Sequence, residues 1–360
     1  MNEKTVCINE ALSAFFDKMP RSCREFGNGH INGTFLVETD AKFVLQRINT
    51  DVFGDPVGLM KNIALVTEHI RKKSASGKEG RMLSVIPTLD GKSFFCDSRG
   101  NYWRVFNFIE GSVSYDAIRN SDDFYRCGEA FGAFQGTLSD LPAEKLCEVI
   151  KDFHNTPVRY ENLMRAVEAD ACGRCSYVRA EIDFIRQRKE FCHTLENAYK
   201  AGKLPLRVTH NDTKLNNILF DEQTGEPLCV IDLDTVMPGF SVNDFGDSIR
   251  FGASTAAEDE QDLTKVSLDL SLFEAYAKGF IAGCAGRLTE TEAELLPEGA
   301  LMMTLECGMR FLTDYLMGDV YFKIHYPTHN LDRAKNQLAL LSDMEAKLPD
   351  MKRIISDILK

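Results

Sequence analysis

Val208-Thr-His-Asn-Asp-Thr-Lys-Leu-Asn-Asn-Ile-Leu-Phe220, followed by Leu228-Cys-Val-Ile-Asp-Leu-Asp234, carries more structural information than any other part of this chain. Ile218–Phe220 at the end of the first and Leu228–Ile231 at the start of the second are apolar and β-like, and the segment Asp221 to Pro227 between them holds the turn-forming pair Thr224-Gly225. Pairing Ile218–Phe220 with Cys229–Ile231 around that turn would bring Asn217 and Asp232 side by side at the open end of a hairpin. His210, Asp212 and Asn217 precede it in the pattern H-x-D-x-x-x-x-N.

These residue types at this spacing suit transfer of a phosphoryl group. That chemistry needs a carboxylate to orient the acceptor hydroxyl, hard oxygen ligands for a divalent metal, and a cation near the moving group. Asp212 is the expected base, Asn217 and Asp232 the expected Mg²⁺ ligands, and Lys214 the cation that balances charge developing on the γ-phosphoryl oxygens. Asp234 either completes a second metal site or bonds to nearby backbone, and His210 is expected to brace the loop. An ordinary hairpin with a polar approach would account for Asp221 and Gly225 as turn formers. It would leave the spacing of His210, Asp212, Asn217 and Asp232 unexplained. The triplet Asp244-Phe245-Gly246 matches a magnesium-binding D-F-G string but lies well beyond the hairpin, so Asp244 is expected to cap a following helix and hold its lobe together.

Upstream, alternation from Cys23 to Asn49 predicts a β-hairpin, with a Gly-rich turn at Gly27–Gly33 and strands over Thr34–Val37 and Phe43–Ile48. Met60, Ile63, Thr67 and Ile70 form a helical stripe over Pro56–Lys73, and strands follow at Lys92–Cys96 and Tyr102–Ile109. After Gly111 helical periodicity dominates: Phe124 to Leu138, Glu181 to Lys200, and Leu301 to Leu316 within a helical stretch from Ser267 onward. The expected class is α+β and bilobal. Residues 1–110 form a small antiparallel lobe with one main helix, and residues 111–360 a larger, mostly helical lobe.

A chain of 360 residues has room for two ordinary domains, and ligands favour the clefts that such pairs make. Its formal net charge of -12 opposes the phosphate attraction on which nucleic-acid binders depend, so nucleic acid is not an expected partner. An acidic protein that binds a triphosphate must neutralise it locally, which again calls for metal and placed cations. No apolar run is long enough to span a bilayer, and Met1–Asp17 has no basic start or small-residue cleavage site. The expectation is a cytoplasmic protein, a monomer or weak dimer. The 11 cysteines, odd in number and irregularly spaced, are expected to be reduced; Cys172 and Cys175 have the C-x-x-C spacing of a zinc or redox site, with no second pair at zinc-ribbon spacing.

At the loop residues the chain resembles the aminoglycoside phosphotransferase-like kinases, which share the two-lobed protein-kinase-like fold. Longer strings resemble the branch that phosphorylates N-acetylhexosamines at C1: Gly27-Asn-Gly-His-Ile-Asn32, Val208–Leu219, Val230–Gly239, Asp244–Ser254, Glu306–Leu312 and Gly318–Phe322. This resemblance implies ATP and Mg²⁺ as cofactors and a small-molecule sugar as substrate, with the α-1-phosphate as product. It also implies sugar contacts from His30, Arg310 and Tyr321 besides Asp212. Arg310 lies four residues from both Glu306 and Asp314, a spacing that would equally give helix-surface ion pairs. His30, after Gly29 in a turn, would equally serve an unusual backbone angle.

The resemblance places adenine against Phe108 and Ile109, and backbone of the Gly-rich turn, Gly29 above all, near phosphate. Where most relatives carry a phosphate-binding Lys, the strand Phe43-Val-Leu-Gln46 offers Gln46, and Asn62 and Glu68 both stand where the helix Glu partner would be. The sole tryptophan, Trp103, is expected in the core. Homoserine, choline or another amino alcohol, a thiosugar or an aminoglycoside remain alternative acceptors. A catalytically silent nucleotide-binding protein of the same fold is a further alternative, suggested by Gln46.

Overall fold

The structure is a computed structural model that describes residues 3–27, 31–74 and 81–360. It divides into two compact units: residues 1–114, 140–151 and 218–238 form one, and residues 115–139, 152–217 and 239–360 the other. A single cut between residues 110 and 111 is thus replaced by an interleaved division.

In the first unit, α1 (Glu3–Phe15) packs on a sheet built from β1 (Ser22–Glu25), β2 (Gly33–Glu38), β3 (Lys42–Arg47), β4 (Val85–Ile86), β5 (Phe95–Cys96) and β6 (Tyr102–Asn107), in the order β1-β2-β3-β6-β4 with β5 also on β6. The hairpin read from Cys23 to Asn49 is the β2/β3 pair, with Phe35 opposite Leu45. Strand alternation sends Phe35, Val37, Leu45, Trp103 and Val105 to one face, where Cys7, Ala11, Leu12 and Phe15 of α1 cover them. Trp103 is core, and its indole N–H donates to Asp97 at 2.9 Å. Thr34, Gln46 and Arg104 stand in register across β2, β3 and β6 on the opposite face.

Helix α2 (Pro56–Lys73) starts where Pro56 predicts, with the Asp55 side chain accepting from the Gly58 N–H. Asn62, on its buried face, explains the interleaving. Its amide donates to the carbonyls of Cys147 (2.7 Å) and Val236 (2.9 Å) and accepts from the Cys147 N–H (2.8 Å), tying both later segments to the first unit. The second hairpin pairs Ile218–Asp221 with Pro227–Val230, with an irregularity between Pro227 and Cys229, and β7 (Ser112–Val113) adds to its edge. Gly225 takes φ +69° in its turn, a region that Gly enters at little cost.

The second unit is helical: α3 (Ser121–Leu138), α4 (Thr156–Ala169), α5 (Arg179–Arg186), α6 (Thr194–Lys200), α7 (Ser241–Gly252), α8 (Leu270–Gly283), α9 (Glu290–Glu294), α10 (Leu296–Met317) and α11 (His329–Ile358). The single helix expected over Glu181–Lys200 is two. Residues 186–190 offer no apolar position to a helical stripe, and Arg188 leaves it for a bidentate pair with Glu345. All 11 cysteines are free thiols. Among the described residues no helix is long and apolar enough to cross a membrane.

Candidate active site

Chain geometry aims the loop before the second hairpin. Asn211 adopts a left-handed φ of +64°, unusual for a residue with a side chain. Asp212 follows, and its carboxylate receives the Lys214 ammonium at 2.6 Å and the Asn217 amide N–H at 3.2 Å. That amide also donates to the Asp212 carbonyl at 2.8 Å. The contact engages the Asn217 nitrogen and leaves its oxygen as the end suited to a hard cation. Burial alone would lower the Lys214 pKa, but the charges of Asp212 and Asp247 raise it by more, so the lysine stays a cation. The second unit thus assembles a carboxylate, an ammonium and an amide within one turn of chain.

The loop is held from behind by α7. The buried Asp244 carboxylate accepts the backbone N–H groups of His210 (2.8 Å) and Asn211 (2.7 Å) and the Gln135 amide (2.5 Å). One turn on, Asp247 accepts the Thr213 N–H at 3.1 Å, and Ser248 donates to the Thr213 carbonyl at 2.7 Å. Asp244, Asp247 and Ser248 share a helix face, so one rigid element fixes the backbone on both sides of Asp212. Asp244 lies inside α7 rather than capping it, since Phe240 is the N-cap residue. Phe245 is core, and a side chain on Gly246 would meet the Gly299 carbonyl of α10 at 2.2 Å. The D-F-G string is therefore a loop anchor, a core aromatic and a close helix crossing.

His210 braces as expected through its backbone, and its ring sits edge-on to Phe131 and Phe134. A second brace was not foreseen. His154 Nδ1 lies 2.8 Å from Glu306 and Nε2 lies 3.0 Å from the Asn211 carbonyl, and Thr156 donates to Glu306 at 2.7 Å. With an acceptor at each nitrogen, the ring is suited to carry both protons. Burial opposes that charge, but Glu306 outweighs it and raises the His154 pKa. In turn His154 holds Glu306 below the ordinary carboxylate range despite burial. Glu306 thereby accepts from His154 and Thr156, and the Arg310 charge lowers its pKa further without a hydrogen bond between them.

In the first unit, Asp232 takes φ +58° and opens the short turn Leu233–Thr235. A left-handed residue with a Cβ costs roughly 1–2 kcal/mol, which surrounding contacts must offset. Asp234, 3% exposed, supplies such contacts: one oxygen pairs with Arg104 and the other accepts from Asn32 Nδ2 at 2.5 Å. Of the two roles left open for Asp234, hydrogen bonding is the one whose partners are seen, and they are side chains. Gln46 Oε1 accepts from Arg104 Nε at 2.9 Å, and Gln46 Nε2 donates to Thr34 at 3.1 Å. Neither helix position pairs with Gln46: Asn62 serves backbone, and Glu68 pairs with Arg71 and Lys72.

Phe108 and Ile109 follow β6 directly. The Phe108 ring is edge-on to Phe26 with Lys42 over its face, while the Ile109 carbonyl accepts from Ser112 at 2.6 Å. Gly29 and His30 lie outside the described residues. Among those described, no three His, Cys, Asp or Glu side chains form a ready-made metal cage.

The other candidate cluster belongs to the second unit. Arg310 stands 5.5 Å from the rings of both Phe153 and Phe322, and Tyr321, 68% exposed, lies edge-on to Phe322. Asp314 accepts the backbone N–H groups of residues 320–322, so it fixes Tyr321 and does not pair with Arg310. Arg159, which the sequence reading missed, joins this group: burial and then the Arg310 charge push its guanidinium below the usual range, and its buried Nε has no hydrogen-bond partner. Nothing in its helical spacing signalled this. Phe153 adjoins His154, so the aromatic cluster is tied to the loop at Asn211.

The fold has many known counterparts. A microcompartment-associated aminopropanol kinase shares it with a TM-score of 0.66 at 17% identity, over 97% of this chain and 98% of that one. An aminoglycoside 2'-phosphotransferase-IIIa in complex with GDP gives 0.61 at 12% identity, over 94% and 99%. A choline kinase from Cryptosporidium parvum gives 0.58 at 12% identity, over 99% and 100%. At these identities the likeness shows the protein-kinase-like fold. The family model for the phosphotransferase enzyme family matches residues 22–278 directly, and the chain belongs to that family.

Proposed function

We propose that this phosphotransferase is an ATP- and Mg²⁺-dependent kinase of the anomeric hydroxyl of an N-acetylhexosamine, giving the α-1-phosphate. The observation that carries the kinase reading is the Asp212 carboxylate, held within 2.6 Å of Lys214 on a loop whose backbone Asp244 clamps. Asp212 receives the hydroxyl proton as the oxygen attacks phosphorus, and Lys214 lies where negative charge grows on the transferring group. Asn217 and Asp232 are the residues that would hold magnesium, and bound metal would neutralise charge on the triphosphate. Phe108 and Ile109 would receive the adenine, and a cytoplasmic setting supplies the nucleotide.

The acceptor reading rests on charge and shape. Choline, ethanolamine, aminopropanol and aminoglycosides are cationic, and two guanidinium groups at Arg159 and Arg310 would repel them. Arg310 between Phe153 and Phe322, with Tyr321 beside them, instead suits a neutral ring with hydroxyl and amide oxygens. The test is initial rates over a panel of N-acetylglucosamine, N-acetylgalactosamine, homoserine, choline, aminopropanol and kanamycin, with ATP and Mg²⁺. Turnover of the N-acetylhexosamines above all others is expected. A cationic acceptor turned over faster than either would overturn the assignment.

A further inference from the structure

Gln46 is an uncharged residue on β3, and a buried cation lies one strand away. Arg104 of β6 is directly opposite Gln46 of β3 in the sheet register. It is 1% exposed, donates through Nε to Gln46 at 2.9 Å and pairs through Nη1 with Asp234. The cation thus sits on β6, and its carboxylate in the turn after the second hairpin.

We propose that Arg104, held in the buried chain Gln46–Arg104–Asp234, is a positioning residue that sets the turn carrying Asp232, and so sets nucleotide-bound metal affinity without touching the nucleotide. The geometry gives the reason. Asp232 is left-handed at φ +58° and heads a three-residue turn, so the direction of its carboxylate follows from where that turn is pinned. The pin is Asp234, whose two oxygens are held from separate strands, by Arg104 of β6 and by Asn32 at the start of β2. Arg104 is fully enclosed and spends two donors on Gln46 and Asp234, which suits a support and not a phosphate ligand. A planar guanidinium can serve both partners at once, whereas an ammonium on a flexible stem cannot hold the same fork.

This inference rests on the kinase reading above, and calorimetry on the full chain separates the two. ATP is titrated with Mg²⁺ and, separately, in EDTA into wild type, Arg104→Met, Asp234→Asn, the double variant and Arg104→Lys. Each single substitution is expected to weaken Mg·ATP binding by about 10–100-fold, the usual cost of losing support behind a metal ligand. Metal-free ATP should bind within about twofold of wild type, Lys should fail to rescue, and the double variant should be no worse than the worse single one. Gln46→Met, which keeps the ion pair and removes only its alignment, should show a smaller loss in the same direction and serves if Arg104→Met does not fold. Equal losses with and without metal would mean that Arg104 binds phosphate directly, and would overturn the proposal, as would additive losses or none. Wild type that binds ATP no better with Mg²⁺ would instead bring down the kinase reading itself.

Discussion

Replacing Asp244 by Asn should loosen the loop that carries Asp212 without touching any ligand. The carboxylate accepts three donors, at 2.5 Å from Gln135, 2.8 Å from His210 and 2.7 Å from Asn211. Bonds to a charged group contribute about 1.5–3 kcal/mol each, and an amide can accept at only one of its two ends. If its oxygen keeps His210 and Gln135, its NH₂ meets the Asn211 N–H head-on. One charge-assisted bond is lost and the other two become neutral ones of about half the strength. Part of this is returned, because burial already raises the Asp244 pKa against the pull of His210 and its donors, so a neutral side chain is less costly there. A net loss of about 2–4 kcal/mol in urea unfolding follows. A shift of the loop by a fraction of an ångström to about 1 Å should lower kcat by about 100-fold while the KM for ATP changes little. Wild-type stability together with wild-type kcat would refute the idea that α7 aims the loop.

The pair His154–Glu306 predicts a pH window. The raised His154 pKa adds stability that is full below the unfolded value near 6.5 and is lost as pH rises through the folded value, while the lowered Glu306 pKa adds stability that is full above 4.5 and lost as pH falls through its folded value. The destabilisation caused by His154→Gln should therefore be largest between 4.5 and 6.5 and shrink at higher pH. A difference that stays flat up to pH ~9 would contradict a charged pair. Arg310→Met, with both rings kept, should raise the KM for the proposed N-acetylhexosamine acceptor by about 10-fold or more, since a hydrogen bond from a charged donor is worth about 1.5–3 kcal/mol. Unchanged KM for every sugar would remove Arg310 from acceptor recognition.

The candidate loop and the second hairpin were legible because their signal is local: a motif of eight positions, a Gly turn and alternating apolar residues. So was α2, marked by Pro56 and one apolar stripe. What was not legible depends on partners far away along the chain. His154 and Glu306 are 152 positions apart, and Arg104 and Asp234 are 130 apart. Nothing near either residue signals the other. Helix α1 was missed although Cys7, Ala11, Leu12 and Phe15 lie on one helical face, because Cys and Ala give a faint stripe. Arg310 is the opposite case: its i±4 acidic neighbours offered ion pairs as an alternative to ligand contact, yet tertiary structure hydrogen-bonds Glu306 to His154 and Asp314 to backbone.

Asp212→Asn, examined by single-turnover transfer from ATP and by ATP titration on the same preparation, tests the assignment of the base most directly. Transfer should fall by at least about 1,000-fold, since the variant loses proton acceptance and the ion pair with Lys214, while ATP affinity stays within about threefold. Transfer at a rate comparable to wild type would show that another group accepts the proton.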